Sequence, residues 1–377
     1  MPFPPLVSPM PALDPGEAVR TARHRALAAV GDEGQRRLAA AHVAVVGAGG
    51  LGSPAVLALA AAGVGTLTVI DDDVVELSNL QRQILHGVGD VGEPKVDSAV
   101  RAAAALAPAV RVVPVRSRLD AHNAATLLAH ADVVLDGSDL FETRMAVADA
   151  TEAAGIPLVW GTVQETAAQV TVFWSRPPAG SEPVVLADLF PPDRVGDPPS
   201  CAQVGVLGTL CLQIGALMAT QAVALIAGIG EPLLGRVLLV DALTARHREV
   251  PLRGQAGAPP RDAAPTAVPS PPPASTVGEL TAAQARTALA AARPPAVLDV
   301  REEEELASGT LPGAVHIPLG RVLADPAGAA RAVGGGDVVV VCQAGVRARR
   351  AADALAPFAH PVVLAGGFAG WSTETRG

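Results

Sequence analysis

Residues Val43 to Asp73 read VAVVGAGGLGSPAVLALAAAGVGTLTVIDDD and contain the clearest structural pattern of the chain. Two apolar, β-branched runs flank a glycine-rich turn and an Ala-rich segment, which predicts a strand, a turn, a helix and a second strand. The glycines fit the G-x-G-x-x-G pattern, and Asp71 follows at about 20 residues, where an acidic residue binds a ribose. The stretch therefore predicts a nucleotide-binding βαβ unit without choosing among NAD, FAD and ATP.

The composition limits the class of protein. The chain has 377 residues, 50% hydrophobic and 2% aromatic, with a formal net charge of −9. Its length suits two or three domains, because single cores stop growing at roughly 250–300 residues. Few aromatic side chains and a negative charge argue against a nucleic-acid partner. Three cysteines do not form a disulfide framework, and the N-terminus lacks a signal-peptide pattern, so we predict a cytoplasmic protein.

One uncharged segment is long enough to span a bilayer. It runs from Val204 to Gly230 and reads VGVLGTLCLQIGALMATQAVALIAGIG. Its five glycines, Gln213, Gln221 and the lack of basic flanks favour a buried or subunit-interface helix instead. We therefore predict no membrane association.

Strand-like and helix-like patterns alternate along both halves of the chain, which predicts an α/β protein with a mainly parallel sheet. In the first half, strands are predicted at HVAVVG, TLTVID, VRVVPV and DVVLDGS, and helices near Lys95 to Leu106 and Ala121 to Ala129. A Pro- and Ala-rich segment then has the composition of a linker. The predicted parts are an N-terminal extension (1–19), a Rossmann-like domain (20–253), the linker (254–276) and a smaller α/β domain (277–377).

The residues that follow Asp71 indicate which of these nucleotides the site binds. Gly47, Gly49 and Gly52 suit any phosphate at a helix N-terminus. Arg82 lies in DDDVVELSNLQRQ and Lys95 in GEPKVDSA. Hydride transfer has no use for two such cations, whereas attack of a carboxylate on an α-phosphate spreads negative charge that cations stabilise. The two cations therefore favour ATP, with a solvated surface charge as the plainer alternative for either residue.

Four motifs carry a family resemblance in the order GAGGLGSP, DDDVVELSNLQRQ, VGEPKVDSA and DGSDLFETR. They resemble the core signature of the MoeB/ThiF adenylyltransferases, bacterial relatives of ubiquitin-activating enzymes. The later segment SCAQVGVLG resembles the cysteine motif of that family. The similarity covers about Arg20 to Leu252.

The resemblance implies a role for each nucleotide-facing residue. Gly50 would lie against the nucleotide, and Asp71 would bind the ribose. Lys95 would stabilise the transferring α-phosphate, and Asp139 would hold the Mg2+ ion carried with ATP. The other phosphate contacts would come from Ser78, Asn79 and Arg82.

The resemblance also implies partners. Arg23, in RTARH, would reach the nucleotide across a homodimer interface. The substrate would be the C-terminal Gly-Gly carboxylate of a ubiquitin-like sulfur carrier of the MoaD, ThiS or CysO type, in molybdopterin, thiamine or thio-amino-acid synthesis. Cys201 would take part in sulfur transfer, with a buried structural cysteine as an equal alternative. Cys211 lacks such a motif and is predicted to be core.

The second domain contains a candidate nucleophile, Cys342, in DVVVVCQAGVRARRAADAL. It ends an apolar strand and begins a loop before a helix, so loop amides and nearby arginines favour an anionic sulfur. A buried structural cysteine is the plainer alternative. Together with LDVREEEEL, SGTLPGAVHIPLG and LAGGFAGW, this loop resembles a rhodanese domain over about Val277 to Trp371.

The rhodanese resemblance implies a persulfide, loaded by a sulfur donor such as a cysteine desulfurase or thiosulfate. Asp299 and Arg301 would be structural braces, and the short loop favours sulfur over a phosphate. The persulfide loop would consist of Cys342, Gln343, Ala344, Gly345, Val346 and Arg347.

The chain departs from the family pattern at several positions. The segments EPVVLADLFPP and PLRGQAGA replace the usual zinc-binding cysteine pairs, so no zinc site is predicted. Leu140 and Thr21 replace the usual Asn and Tyr. Two other functions stay open: a nicotinamide-dependent oxidoreductase fused to a rhodanese, and a carrier-binding scaffold with a decayed ATP site.

Overall fold

The structure is a computed structural model, and it describes residues 3–190, 205–254, 277–291, 293–301, 303–343 and 345–373. The chain divides into two compact units, unit 1 (Met1–Arg261) and unit 2 (Asp262–Gly377). Cys201, Ala344 and all of the predicted linker except Gly254 lie outside the described residues. The domain boundaries predicted from composition therefore stay predictions.

Unit 1 is built on a twisted α/β core. Its strands are β1 (His42–Val46), β2 (Thr66–Ile70), β3 (Arg111–Val115), β4 (Val133–Asp136), β5 (Leu158–Gln164), β6 (Ala167–Phe173), β7 (Arg236–Asp241) and β8 (Arg246–Pro251). They form one sheet in the order β3-β2-β1-β4-β5-β6-β7-β8. Pairing is parallel from β3 to β5 and antiparallel from β5 to β8. The predicted Rossmann-like, mainly parallel sheet is confirmed, and the antiparallel strands extend it.

Helices cover the faces of this sheet. In the described part of unit 1 they are α1 (Pro15–Arg20), α2 (Ala22–Arg25), α3 (Gly31–Ala40), α4 (Gly52–Ala62), α5 (Lys95–Leu106), α6 (Ala124–Leu128), α7 (Phe141–Ala154), α8 (Leu186–Leu189) and α9 (Gly208–Ala227). Short 3-10 turns span Leu77–Asn79 and Val88–Asp90.

The central parallel strands β1, β2 and β4 are buried on both faces, which explains why they are mainly apolar, whereas the edge strand β3 is partly exposed. In β1, Val43 and Val45 enter one hydrophobic cluster, whereas Ala44 and Val46 enter the other. The alternation follows from the two-residue period of a strand.

The long apolar segment forms α9, which packs against α4 and β5. Among the described residues it is the one helix long and apolar enough to cross a membrane, and 67% of its most apolar 18-residue window is buried. Ile214 and Met218 lie in the core with no more than 1% exposure. The prediction of a core helix is confirmed.

Unit 2 is a smaller α/β unit, as predicted. Its strands are β9 (Gly278–Leu280), β10 (Ala296–Asp299), β11 (Ala314–His316), β12 (Asp337–Val341) and β13 (His360–Leu364). They pair in parallel in the order β11-β10-β12-β13-β9. Its helices are α10 (Ala282–Leu289), α11 (Leu319–Ala324), α12 (Pro326–Ala332), α13 (Val346–Leu355) and α14 (Gly367–Thr373), with a 3-10 turn at Glu303–Ser308.

In both units the chemically distinctive residues follow the carboxyl ends of parallel strands. Gly47 follows β1, Asp71 follows β2 and Asp139 lies just beyond β4. Cys342 directly follows β12 in unit 2. Because these strand ends meet at one edge of each sheet, the topology assembles one candidate site per unit.

Candidate active site

The glycine loop between β1 and α4 is compact because its backbone passes very close to itself. A β-carbon on Gly52 would lie 1.7 Å from the carbonyl oxygen of Gly47. Gly47 has φ +86°, a conformation that favours glycine, and its amide donates to the Ile70 carbonyl at 2.8 Å. Leu51, which precedes α4, gives no side-chain cap. An uncapped helix N-terminus beside a glycine loop can accommodate a phosphate.

A cavity of about 170 Å3 opens beside this loop. It brings together most of the nucleotide-binding residues predicted from the sequence. Those on its wall are Gly47, Gly49, Gly50, Asp71, Arg82, Lys95 and Asp139. Gly52 instead begins α4, and Ser78 and Asn79 lie on the turn that precedes Arg82.

Lys95 is a buried cation at this cavity. Its side chain is 7% exposed, and its Nζ lies 2.8 Å from Oδ2 of Asp73. Its amide also donates to the Asp73 carbonyl at 3.0 Å, which fixes the start of α5 against the acidic loop. The Asp73 carboxylate therefore holds the Lys95 ammonium at the cavity, where an anionic ligand can replace Asp73 as its partner.

Asp71 braces the glycine loop from the end of β2. Its Oδ2 accepts from the Ala48 amide at 2.7 Å, and its Oδ1 accepts from the Asp73 amide at 2.8 Å. Burial raises the pKa of Asp71, against the opposing charge of Lys95. Each oxygen keeps a second lone pair, so the carboxylate can also accept from a ribose hydroxyl.

The segment before Arg82 is a tight turn closed by its own side chains. The buried Asn79 accepts from the Glu76 amide at 3.3 Å, and the exposed Ser78 donates to Glu76 Oε2 at 3.1 Å. Arg82 is half-buried and donates to the Ser78 carbonyl at 3.2 Å. Ser78 and Asn79 therefore shape the turn that presents Arg82, and their phosphate contacts stay a prediction.

The loop after β4 carries Asp139 at the exposed rim of the cavity. Fully buried Asp136 fixes this loop, because its Oδ1 accepts from the amide and the hydroxyl of Ser138, at 2.9 and 2.6 Å. Burial raises the pKa of Asp136. The buried Asp136 carboxyl thus fixes the loop that carries the exposed Asp139 carboxyl.

Several cavity residues were not predicted from the sequence to face a ligand, among them Gln83, Arg118, Arg144 and Cys211. Gln83 is 4% exposed, and its Oε1 has no hydrogen-bond partner among the described residues. Gln83 and Arg144 lie inside the quoted motifs, so the motifs could have indicated them, and the strand-end rule could have indicated Arg118, which follows β3. Cys211 is core, as predicted, yet its Sγ also borders the cavity beside Gly50.

His86 ties the glycine loop to the helix that carries Lys95. Its Nε2 is 3.0 Å from the Ala48 carbonyl, and its Nδ1 is 2.9 Å from Oγ of Ser98 on α5. Burial lowers the pKa of His86. The sequence showed no signal for this residue, because its role depends on a contact between distant elements.

Arg23 lies on α2, is exposed and does not line the cavity of its own chain. The neighbouring Arg20 donates to the Ala61 carbonyl at 2.6 Å, at the C-terminal end of α4. Since the glycine loop is at the other end of this helix, the Arg23 segment lies about 16 Å away along the axis. The predicted action across a dimer interface stays a prediction.

The segment that lacks the zinc cysteines is held by apolar packing where it is described. Val184 is 1% and Leu186 4% exposed, and the Phe190 ring lies 5.5 Å from the Trp160 ring. Residues 191–204, with Cys201, lie outside the described residues. The predicted lack of a zinc site stays a prediction.

In unit 2, Cys342 lies at the bottom of its loop with 1% exposure. Its Sγ accepts a hydrogen bond from the Gly345 amide at 3.1 Å. Gln343, the next residue, accepts from Nη1 of Arg301 at 3.5 Å. The loop backbone therefore already directs a donor at the sulfur, as an anionic sulfur requires.

Two ion pairs support this loop. Arg301 and Asp299 are both 0% exposed and joined at 2.7 Å, and the Arg301 guanidinium lies 4.1 Å from the Phe368 ring centre. Arg347, at the end of the loop, pairs with Glu305 through two contacts of 2.6 Å. Asp299 and Arg301 thus act as braces, in agreement with the predicted structural role.

The geometry defines the class of protein: an α/β unit with cations at a cavity beside a glycine loop, followed in the chain by an α/β unit with a cysteine loop. Residues 21–258 match the ThiF family, and residues 281–374 match the rhodanese-like domain. The chain belongs to the ThiF family and carries a C-terminal rhodanese-like domain. The resemblance inferred from the motifs is confirmed.

Known relatives share this domain pair or its first half. The probable adenylyltransferase/sulfurtransferase MoeZ of Mycobacterium tuberculosis is 40% identical over 392 residues, covering 99% of this chain and 97% of that protein. The sulfur carrier protein adenylyltransferase of Thermus thermophilus is 46% identical over 238 residues, 63% of this chain and 88% of its own. The chain is an enzyme of the adenylyltransferase/sulfurtransferase class.

Among solved structures, E. coli MccB with MccA-N7isoASN has a TM-score of 0.54 and 20% identity. The match covers 63% of this chain and 73% of that chain. This likeness shows a shared fold for unit 1.

Proposed function

We propose that unit 1 uses ATP to adenylate the C-terminal glycine carboxylate of a ubiquitin-like sulfur carrier, and that unit 2 then supplies sulfur to the activated carbonyl. The observation that supports this most is the presence of buried Lys95 and half-buried Arg82 at the cavity beside the glycine loop. A hydride-transfer site has no developing anion for these cations, whereas phosphoryl transfer has one.

In the adenylation step, a carboxylate oxygen of the carrier attacks the α-phosphorus of ATP. The bond from the α-phosphorus to the bridging oxygen breaks, and pyrophosphate leaves with the electron pair. Lys95 exchanges its bond with Asp73 for one with the α-phosphate, and Arg82 stabilises the departing charge. The carrier glycine becomes an acyl adenylate, with AMP as its leaving group.

The donors at the cavity fit the Mg2+ ion that accompanies ATP. Asp139 offers an exposed carboxylate on the wall, and oxygen donors of this kind suit a hard cation. Asp139 would hold the ion, which neutralises phosphate charge when bound. In a homodimer, Arg23 would add a further cation at the cavity of the second subunit.

In the sulfur step, a persulfide on Cys342 attacks the activated carbonyl carbon. The carbon–oxygen bond to AMP breaks, AMP leaves with the electron pair, and an acyl disulfide forms. A thiolate, from Cys201 or an external thiol, then attacks the Cys342 sulfur and releases the carrier thiocarboxylate. The resulting disulfide is reduced by a further thiol. The carrier would be of the MoaD, ThiS or CysO type, and the setting cytoplasmic.

The test is ATP–pyrophosphate exchange by the full chain with a panel of ubiquitin-like carriers that end in Gly-Gly. We expect carrier-dependent exchange that Arg82→Ala lowers by about 10²–10³-fold, as loss of one charge-stabilising donor does. Arg101→Ala is the matched control. Arg101 lies on α5 with Lys95 but is 54% exposed, pairs with Asp90 and does not line the cavity, so its loss should leave exchange unchanged.

Two results would replace the proposal with its alternatives. Tight carrier binding without exchange by any carrier would support a scaffold. NAD binding that survives Arg82→Ala would support an oxidoreductase.

A further inference from the structure

We infer that Glu305 selects the sulfur donor of Cys342, disfavouring thiosulfate and favouring donors that carry a persulfide. The inference rests on the proposed function, in which Cys342 accepts sulfur. It concerns the 3-10 turn Glu303–Ser308, which lies beside the loop in unit 2.

The pair between Arg347 and Glu305 is the first observation. Nη1 of Arg347 donates to Oε2 of Glu305 and Nη2 donates to Oε1, each at 2.6 Å, in a fork-to-fork arrangement. The side chains are 12% and 29% exposed, so the pair is largely shielded from solvent. Bidentate, charge-assisted contacts of this kind are strong and geometrically specific. The positive charge of the loop arginine is therefore already neutralised by its own chain.

The second arginine at the loop is neutralised in the same way. Arg301 contacts Gln343, and its guanidinium is paired with Asp299 with no exposure of either side chain. An incoming anion thus meets two arginines whose charges are already compensated.

The two donor classes differ in whether they need a cationic group at this loop. When the Cys342 thiolate attacks the outer sulfur of thiosulfate, a new sulfur–sulfur bond forms, the old one breaks, and sulfite leaves with the electron pair. Thiosulfate is a dianion, and its sulfonate group needs a cationic partner at the loop. Arg347 would be that partner, but it is already paired with Glu305. Attack on the outer sulfur of a persulfide releases a thiolate, which takes up the persulfide proton. That donor needs no sulfonate site.

Donor specificity is the difference between the affinities for thiosulfate and for a persulfide, so a contact that weakens one donor matters as much as one that strengthens the other. The loop amide of Gly345 stabilises sulfur charge equally for both donors. Glu305 weakens only the donor that carries the extra charge.

The experiment measures loading of the full-length chain by sodium thiosulfate and by cysteine persulfide. Intact mass reports the gain of one sulfur, and peptide mapping assigns it to Cys342. We expect Glu305→Gln to raise the rate of thiosulfate loading about tenfold, mainly through a lower KM, because a charge-assisted contact becomes available to the sulfonate. Persulfide loading should change less than about twofold.

Three further variants make the result specific. Glu303→Gln removes the same charge without touching Arg347 and should change neither rate by more than about twofold. Glu305→Gln combined with Arg347→Gln should lose the gain. Arg347→Gln alone removes the cation that faces Glu305 and should slow thiosulfate loading more than persulfide loading. This change has the opposite sign and does not depend on the folding of the Glu305→Gln variant.

The inference is overturned if Glu305→Gln, with an unchanged melting temperature, leaves the ratio of the two rates unaltered. An equal gain from Glu303→Gln would also overturn it. Failure of both donors to load Cys342 in every protein would overturn the proposed sulfur acceptor itself, and the selectivity with it.

Discussion

At the scale of single residues, the hydrogen bonds of His86 determine its tautomer. The Ala48 carbonyl can only accept, so Nε2 carries a proton. In a neutral ring, Nδ1 must then accept from the Ser98 hydroxyl. That hydroxyl has one proton, which Oδ2 of Asp90 can also accept at 3.2 Å. The charge on His86 therefore decides which group receives the Ser98 proton.

The pKa of His86 gives stability a pH dependence. Burial lowers this pKa below that of an exposed imidazole, about 6.5, so the unfolded chain binds more protons than the folded one between the two values. The stabilisation is complete above about pH 6.5 and falls as pH decreases through the folded pKa, by at most about 1.4 kcal/mol per pH unit. Lys95, Asp71 and Asp90 modulate the shift. His86→Gln should flatten this dependence.

The measurement is urea unfolding of wild type and variants between about pH 5.5 and 7.5, followed by tryptophan fluorescence, to which Trp160 and Trp174 contribute from unit 1 and Trp371 from unit 2. His122→Gln is the control, because His122 is exposed in the same unit. If His86→Gln keeps the wild-type slope, His86 does not titrate as inferred.

Much of the nucleotide site could be predicted at this scale, because parallel strand ends converge. Asp71, Lys95 and Asp139 share one cavity as the motifs suggested. The pairing of Lys95 with Asp73 could not be predicted, since it depends on how α5 meets the acidic loop. That the Gln83 Oε1 has no hydrogen-bond partner within the described part of the chain likewise depends on how its surroundings pack.

At the scale of elements, the close contact between Gly47, after β1, and Gly52, at the start of α4, sets the shape of the glycine loop. Gly52→Ala would place a methyl group 1.7 Å from the Gly47 carbonyl oxygen, so the loop or the helix must move. We expect the free energy of unfolding to fall by about 1–3 kcal/mol, the usual cost of overpacking. ATP binding should weaken more than about tenfold, because the displaced amides no longer face the phosphate.

Denaturant unfolding and ATP titration measure these two effects. Gly89→Ala is the matched control: its β-carbon would meet nothing within 4 Å, and the exposed 3-10 turn should tolerate it. A Gly52→Ala protein with wild-type stability and ATP affinity would contradict the close-approach argument.

Elements with a local sequence signal could be predicted, whereas strands that depend on distant pairing could not. The helix expected near Lys95 to Leu106 is α5 with those bounds, because its apolar period and its proline start are local signals. The strands β5 to β8 were not predicted. β8 reads RHREVP and is largely exposed, so it lacks the apolar alternation that reveals a strand. Its position depends on pairing with β7, which is a non-local property.

At the scale of the whole molecule, the two activities are placed on units with separate cores. One pair of hydrophobic clusters includes Leu59 and Trp160 in unit 1, and another includes Leu355 and Leu364 in unit 2. In the described residues no cluster draws side chains from both units. Units that bury their own cores can fold independently.

Separating the units should therefore divide the reaction. We expect Met1–Arg261 alone to keep carrier-dependent ATP–pyrophosphate exchange within about twofold, and Asp262–Gly377 alone to accept sulfur at Cys342 at the full-chain rate. Thiocarboxylate formation by a dilute mixture should fall more than about tenfold, because the second encounter is no longer intramolecular. Carrier mass measures this product, and calorimetry should show the full chain melting in two transitions that match the pieces. A folded Met1–Arg261 without exchange would mean that adenylation needs residues from unit 2.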